Sequence, residues 1–202
     1  MAARERIRPR REDVRTEVLR AAREVFAESG YQRASLEAIA RRAGFSKGAV
    51  YSNFESKDDL FLALLEPEAD QMAGLLAGII QTSGNIDADI AALAELISAL
   101  TISSPATLLF AEFRAHAARD PQLAARLAEI RSSIIAHVSE LLVEELAGMN
   151  ATLVVAPIDA ATLLLALING LTLEHVGVEG PSVATDSLAT LLRGLVRPSN
   201  QS

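Results

Sequence analysis

The sequence predicts an all-α fold, on three observations. Every extended apolar pattern repeats at helical spacing, helix-start and helix-stop residues separate those patterns, and no run of β-branched alternation or hairpin turn appears. Nine helices and no strands are expected. Val14, Val18, Ala22, Val25 and Phe26 form the first stripe, and Gly30 supplies its stop. Ser35 is the N-cap of a short segment in which Leu36, Ile39 and Ala43 share one face, ended by Gly44. A third segment begins at Ser46 and places Val50 and Phe54 at i, i+4. Ser56 and Asp59 make the S-x-x-D pattern of a capping box, opening a fourth helix from about Lys57 toward residue 82 that Pro67 should bend. Asp87 opens a helix to about residue 101, and Ser104 with Pro105 opens another to about Arg119. Asp120 and Pro121 start a long helix striped by Leu123, Leu127, Ile130, Ile134, Val138 and Leu141, ending near Gly148. The eighth, from about Pro157 to Val176, carries Leu163, Leu164, Leu167 and Leu171 on one face. The last opens after Gly180 and Pro181, with Leu188, Leu191, Leu192 and Leu195 at i, i+3, i+4, i+7.

Composition bounds the function. With 202 residues the chain has length for one or two domains and a sizeable core, and half of its residues are hydrophobic. The absence of Cys excludes disulfides, thiolate metal sites and Cys nucleophiles. The opening MAARERIRPR is charged without an apolar centre, unlike a signal peptide. Uncharged stretches such as 71–86 and 96–111 fall short of the ~20 apolar residues of a membrane helix, so a soluble, cytoplasmic protein without a membrane partner is expected.

The net charge of −7 is unevenly distributed. Residues 1–57 hold 13 Arg and Lys against 8 Asp and Glu, a basic head of +5 on an acidic remainder of −12. The seam falls inside the fourth helix, which should couple head and body rigidly. Six arginines within residues 4–15 (Arg4, Arg6, Arg8, Arg10, Arg11 and Arg15) suit a flexible arm on a polyanion, and equally a solvated terminus.

The segment LEAIARRAGFSKGAVYSNF, residues 36–54, holds two short amphipathic helices joined at Gly44 and Phe45. Its second helix turns only Val50 and Phe54 inward, leaving a small, polar and basic outer face. That pattern describes a helix-turn-helix able to lay one helix in the major groove. Val18, Ala22, Phe26, Tyr31, Leu36, Ile39, Phe45, Val50 and Phe54 are assigned to the small core that holds it.

From about Thr16 to Leu64 the chain resembles the DNA-binding domain of the TetR family of transcriptional regulators. The resemblance is carried by VLRAAREVFAESGY, then SLEAIA, AGFSKGAVY and the NF-x-SKDDL run. It covers about a quarter of the chain and implies a nine-helix, TetR-like architecture. A basic arm at 1–10 precedes a three-helix DNA-binding head at 11–56, and a helical ligand-binding and dimerisation body occupies 57–202. Under this resemblance Lys47, which begins the recognition helix, reaches guanine O6 or N7 or a phosphate. Gly48 and Ala49 allow close approach to base edges, Tyr51 donates to phosphate, and Ser52 serves base or backbone. Asn53 stands where many relatives carry His or Tyr and still offers an amide donor. Ser35, Ser46 and Lys57 lie at helix starts that favour phosphate, with capping an equal explanation for the two serines. Arg33 is a further contact candidate, while Arg41 and Arg42 flank the elements as contacts or as surface charge.

Little suggests an enzyme. There is no HExxH, no His pair at i, i+4, no Gly-rich phosphate loop and no G-x-S-x-G elbow, and neither a cofactor nor a metal is expected. Glu112 with His116, and Glu174 with His175, read as surface pairs. The resemblance implies an effector of unknown identity, small and largely apolar, in the body. Phe110 and Phe113 are candidates for the wall of its pocket or for ordinary core, and His137 and Asn169 for polar anchors or satisfied core groups. The apolar last two helices suit pairing with their copies, giving a homodimer with Leu163, Leu167, Leu171, Leu188, Leu191, Leu192 and Leu195 at its interface. The expected function is a repressor released by its ligand from a palindromic operator on double-stranded DNA. The alternative is a helical interaction protein without specific DNA binding.

Overall fold

The computed structural model describes residues 10–65, 85–101, 105–148, 150–174 and 183–199. Packing divides the chain into two compact units at residue 66. The first nine or so residues of the fourth helix therefore pack with the head, and the body does not open at 57 as expected. Pro67, Ser104, His175, Gly180, Pro181 and the fourth helix beyond residue 65 lie outside the described residues.

In the head, α1 runs Arg11–Arg33 and buries Val14, Val18, Ala21, Ala22, Val25 and Phe26. Gly30, at φ 73° and ψ 169°, breaks the regular helix where a stop was expected, a backbone only glycine adopts without strain. Arg11 and Arg15 are thus helical residues and not part of a flexible arm. α2 (Leu36–Ala43) and α3 (Lys47–Tyr51) follow, with α4 over 57–65. Phe26, Tyr31 and Phe61 of α4 form an aromatic trio with ring centroids 5.2–5.8 Å apart. Eight of the nine expected core residues are buried; Phe45 is half-buried because it sits in the turn between α2 and α3.

The body contains α5 (Ile86–Thr101), α6 (Pro105–Ala117), α7 (Pro121–Gly148), α8 (Pro157–Glu174) and α9 (Thr185–Arg193). Its core gathers Ile90, Leu93, Ala94 and Ile97 of α5 with Val138, Ala161, Leu164, Ile168, Leu188, Ala189 and Leu192. Asp120 caps α7 as expected, its Oδ1 accepting from the N–H groups of Gln122 and Leu123. The cap of α5 is Asn85 rather than Asp87, its Oδ1 accepting from Asp87 and Ala88.

Two strands contradict the strand-free expectation. β1 (Ala151–Leu153) and β2 (Val196–Pro198) pair antiparallel, with Thr152 opposite Arg197. Three residues are too few to show period-2 alternation, and the partners lie more than forty residues apart, so no hairpin turn marks them. The ribbon also removes Leu195 from the last helix. α9 ends at Arg193, and the Leu195 carbonyl accepts from the Val154 N–H at 2.9 Å.

Among the described residues, α8 is long and apolar enough by length and composition to cross a membrane. Charge-free runs missed it because Asp159 and Glu174 bracket it. One face of α8 lies in the core through Ala160, Ala161, Leu164 and Ile168, while Ile158, Leu163 and Leu173 are exposed.

Candidate nucleic-acid interface

The site is built on a turn that only glycine permits at low cost. α2 ends with Gly44 in the left-handed region, φ 73° and ψ 20°. Its N–H donates to Arg41 O at 3.2 Å while the Phe45 N–H reaches back to Ala40 O at 3.0 Å, the paired bonds of a Schellman motif. The chain then enters α3 through Ser46, whose hydroxyl accepts from the Ala49 N–H at 3.2 Å. Ser35 does the same for Ala38 at 3.2 Å. Both serines therefore cap, and Ser46 keeps an exposed position while doing so.

Val50 and, just beyond the helix, Phe54 anchor α3 in the core. The opposite face presents Lys47, Gly48, Tyr51 and Ser52 to solvent, with Ala49 and Asn53 half-buried beside them. A Cβ at Gly48 would meet nothing within 4 Å, so protein packing does not require glycine there. The Ser52 hydroxyl donates to Ala49 O at 2.8 Å and the Asn53 amide to the same oxygen at 2.8 Å, which completes the last turn of a helix too short to hold itself.

Arg11 supplies a further tie. Its Nη2 donates to Ser52 O at 3.0 Å and its Nε to Asn53 Oδ1 at 3.4 Å, putting a cation on the carbonyl end of α3. The Arg15 guanidinium lies 4.7 Å from the centre of the Phe54 ring. The start of α1 thus holds α3 from its C-terminal side.

Lys47 is not free. Its ammonium pairs with the Glu37 carboxylate of α2 and lies 5.6 Å from the centre of the Tyr51 ring. Lys47 holds the Glu37 carboxyl below the usual carboxylate range, assisted by Glu37's own N–H and the Ser35 hydroxyl, and Glu37 raises the ammonium in return. Lys47 consequently links Tyr51 to Glu37, a residue not singled out from the sequence. Neither Glu37 nor Arg11 carries a local signal, because helical periodicity does not run across a turn.

Lys57 has its partners within the head. Its ammonium donates to Tyr31 O at 2.8 Å, Ala34 O at 3.1 Å and Gln32 O at 3.3 Å, and sits 4.3 Å from the Tyr31 ring centre. It closes the carbonyl end of α1, and burial lowers its pKa. The Tyr31 hydroxyl bonds the Asp58 carboxylate next to it. Arg33 is exposed with its Nε on Ser29 O at 3.0 Å. Arg42 is held by Glu28 at 2.6 Å and Glu24 at 3.0 Å, an exposed ion-pair group tying α2 to α1.

Phe113 is fully buried, Phe110 is half-buried near Arg114, and His137 is exposed on α7 because it stands one residue off the stripe that buries Val138. The Asn169 amide donates to Leu165 O of its own helix at 2.7 Å. A cavity of about 60 Å³ lies elsewhere, lined by residues of α5, α7, α8, α9 and both strands, among them Asp89, Leu142, Leu164 and Val196. Phe110, Phe113, His137 and Asn169 are not in its wall. The expected dimer face also divides. Leu188 and Leu192 are 3% and 6% exposed and belong to the body's own core, whereas Leu163 and Leu191 are both 52% exposed.

Residues 18–64 match the bacterial regulatory proteins of the tetR family, and residues 84–198 match the tetracyclin repressor-like C-terminal domain. The chain belongs to the TetR family. Among TetR-family relatives, the transcriptional repressor AcnR of Corynebacterium diphtheriae is 41% identical over 63 residues, 31% of this chain and 33% of AcnR. The transcriptional activator FasR of Mycolicibacterium smegmatis is 38% identical over 73 residues, 36% of this chain and 33% of FasR. The regulator UidR of Escherichia coli is 31% identical over 127 residues, 62% of this chain and 63% of UidR. The chain thus spans about a third of AcnR and FasR and somewhat under two thirds of UidR. In three dimensions it resembles Salmonella enterica GusR, with a TM-score of 0.70, 28% identity and coverage of 91% of this chain and 95% of GusR.

Proposed function

We propose that the protein is a homodimeric regulator that reads a palindromic site on double-stranded DNA with α3 and is released from it by a small, largely apolar ligand. The outward face of α3 carries this reading: it leaves Gly48 in open space beside Lys47, Tyr51 and Ser52. Small residues at the centre of a short, firmly held helix let its backbone approach base edges. Lys47 then donates to guanine O6 or N7, and Ala49 touches a thymine methyl. Tyr51, Ser52, Asn53 and Arg33 supply donors for the flanking phosphates, and the capped starts of α2 and α3, at Ser35 and Ser46, turn N–H groups toward them.

The exposed apolar positions Ile158, Leu163 and Leu173 of α8 and Leu191 of α9 support pairing through these two helices. A two-fold dimer sets two copies of α3 about one DNA turn, ~34 Å, apart, which makes the site palindromic. Release follows when the ligand binds more tightly to the conformation whose heads miss successive grooves. AcnR is named a repressor and FasR an activator, so the repressor sign assigned here is part of the proposal.

The test is sequencing of genomic fragments retained by the purified protein at near-physiological salt, where non-specific attachment is weak. One enriched palindrome is expected. A folded, dimeric sample that enriches nothing would instead favour a helical interaction protein.

A further inference from the structure

We propose that Glu37 is a specificity-determining residue, which keeps Lys47 paired on the protein until a matched sequence seats α3 in the groove. The inference rests on the DNA-binding reading above and adds to it a group that does not itself donate to DNA.

Three features of the cluster support it. Lys47 is the first residue of α3, where its cation meets the positive end of the helix, so a contacting carboxylate is favourable. Glu37 lies in the first turn of α2, where a carboxylate is at home. The Tyr51 ring flanks the ammonium 5.6 Å away, while the lysine and glutamate side chains are 58% and 47% exposed. The pair is therefore formed yet weak enough to exchange.

Non-specific attachment rests on cations meeting phosphates. A paired Lys47 removes one such cation from each head. At a matched site the balance differs, because α3 inserted in the groove offers Lys47 a guanine acceptor in exchange for the carboxylate. Glu37 thus weakens wrong complexes more than the right one.

The experiment compares the unmodified protein with Glu37→Gln on two duplexes: the palindrome retained from genomic DNA, and a shuffled duplex of the same length and composition. Glu37→Gln is expected to strengthen binding to the shuffled duplex by about threefold to tenfold and to steepen its salt slope by about 2 per dimer, one phosphate being gained per head. Operator affinity should rise by a smaller factor, so discrimination falls. In a Lys47→Ala background the same substitution should change neither affinity. A gain of affinity cannot come from misfolding, and matching unfolding temperatures check that the variants are folded. An equal rise on both duplexes, a rise that persists without Lys47, or no change overturns the assignment of Glu37 alone. Absence of sequence preference in the unmodified protein overturns the DNA-binding reading, and this inference with it.

Discussion

In the head, helix ends are tied by individual groups. Gly44 turns α2 into α3, Ser35 and Ser46 cap, Arg11 closes α3, and Lys57 closes α1. In the body, α5, α7, α8 and α9 meet through aliphatic side chains around Ile97, Val138, Leu164 and Leu192, and a cavity of about 60 Å³ persists among them. Groups with directional bonds fix where α3 points, whereas aliphatic burial fixes only that helices stay together.

Substitutions can break or sharpen this contrast. The largest effect is expected for Phe26→Ala, which removes a member of the aromatic trio and should destabilise the head by about 3–5 kcal/mol in denaturant unfolding. Lys57→Met removes three hydrogen bonds from a charged donor and should lower stability by about 2–3 kcal/mol. The salt slope of DNA binding should stay unchanged; a slope reduced by about 2 per dimer would return Lys57 to the phosphate contacts. Gly44→Ala adds no clash, since nothing lies within 4 Å of its Cβ, but it places an L-residue at φ 73° and should cost about 1–2 kcal/mol by thermal unfolding.

In the body the expected response is weaker. Ala160 borders the cavity, so Ala160→Val should alter the unfolding free energy by less than about 1 kcal/mol, against about 1–3 kcal/mol for Ala22→Val in the filled head. Equal losses at the two alanines would remove the contrast. The smallest effect concerns pH. The Glu37 carboxyl is lowered, so the pair's contribution is present above the ordinary carboxylate range and is lost as pH falls through the lowered value. The Lys47 ammonium is raised, so the contribution is full below the ordinary lysine range and is lost as pH rises through the raised value. NMR titration of both side chains should show a flat neutral region bounded by these two steps, and a step between them would break the pairing.

The head was more legible in the sequence than the body. Gly30, Gly44, Ser35, Ser46 and the Ser56 cap act within six residues of their partners, so their patterns survive in one dimension. The outward face of α3 followed from the few positions it could bury. The stripes of α7 and α8 were readable as well, but which stripe faces the core and which faces outward was not. Leu188 and Leu192 lie inward while Leu191 is exposed, although all three are leucines of one helix.

Fold class, the nine helices among the described residues and the helix-turn-helix were legible in the sequence alone, because periodicity, caps and left-handed glycines are local physics. Tertiary structure decided what distance along the chain conceals. It brought Arg11 to Ser52 across 41 residues, Lys57 to Tyr31 across 26, Glu37 to Lys47 across a turn, and residues 151–153 to 196–198 as a ribbon. A charged side chain carries the same local signature whether it serves DNA, a helix end or another side chain. Only packing brings its partner within reach, and that partner determines its role.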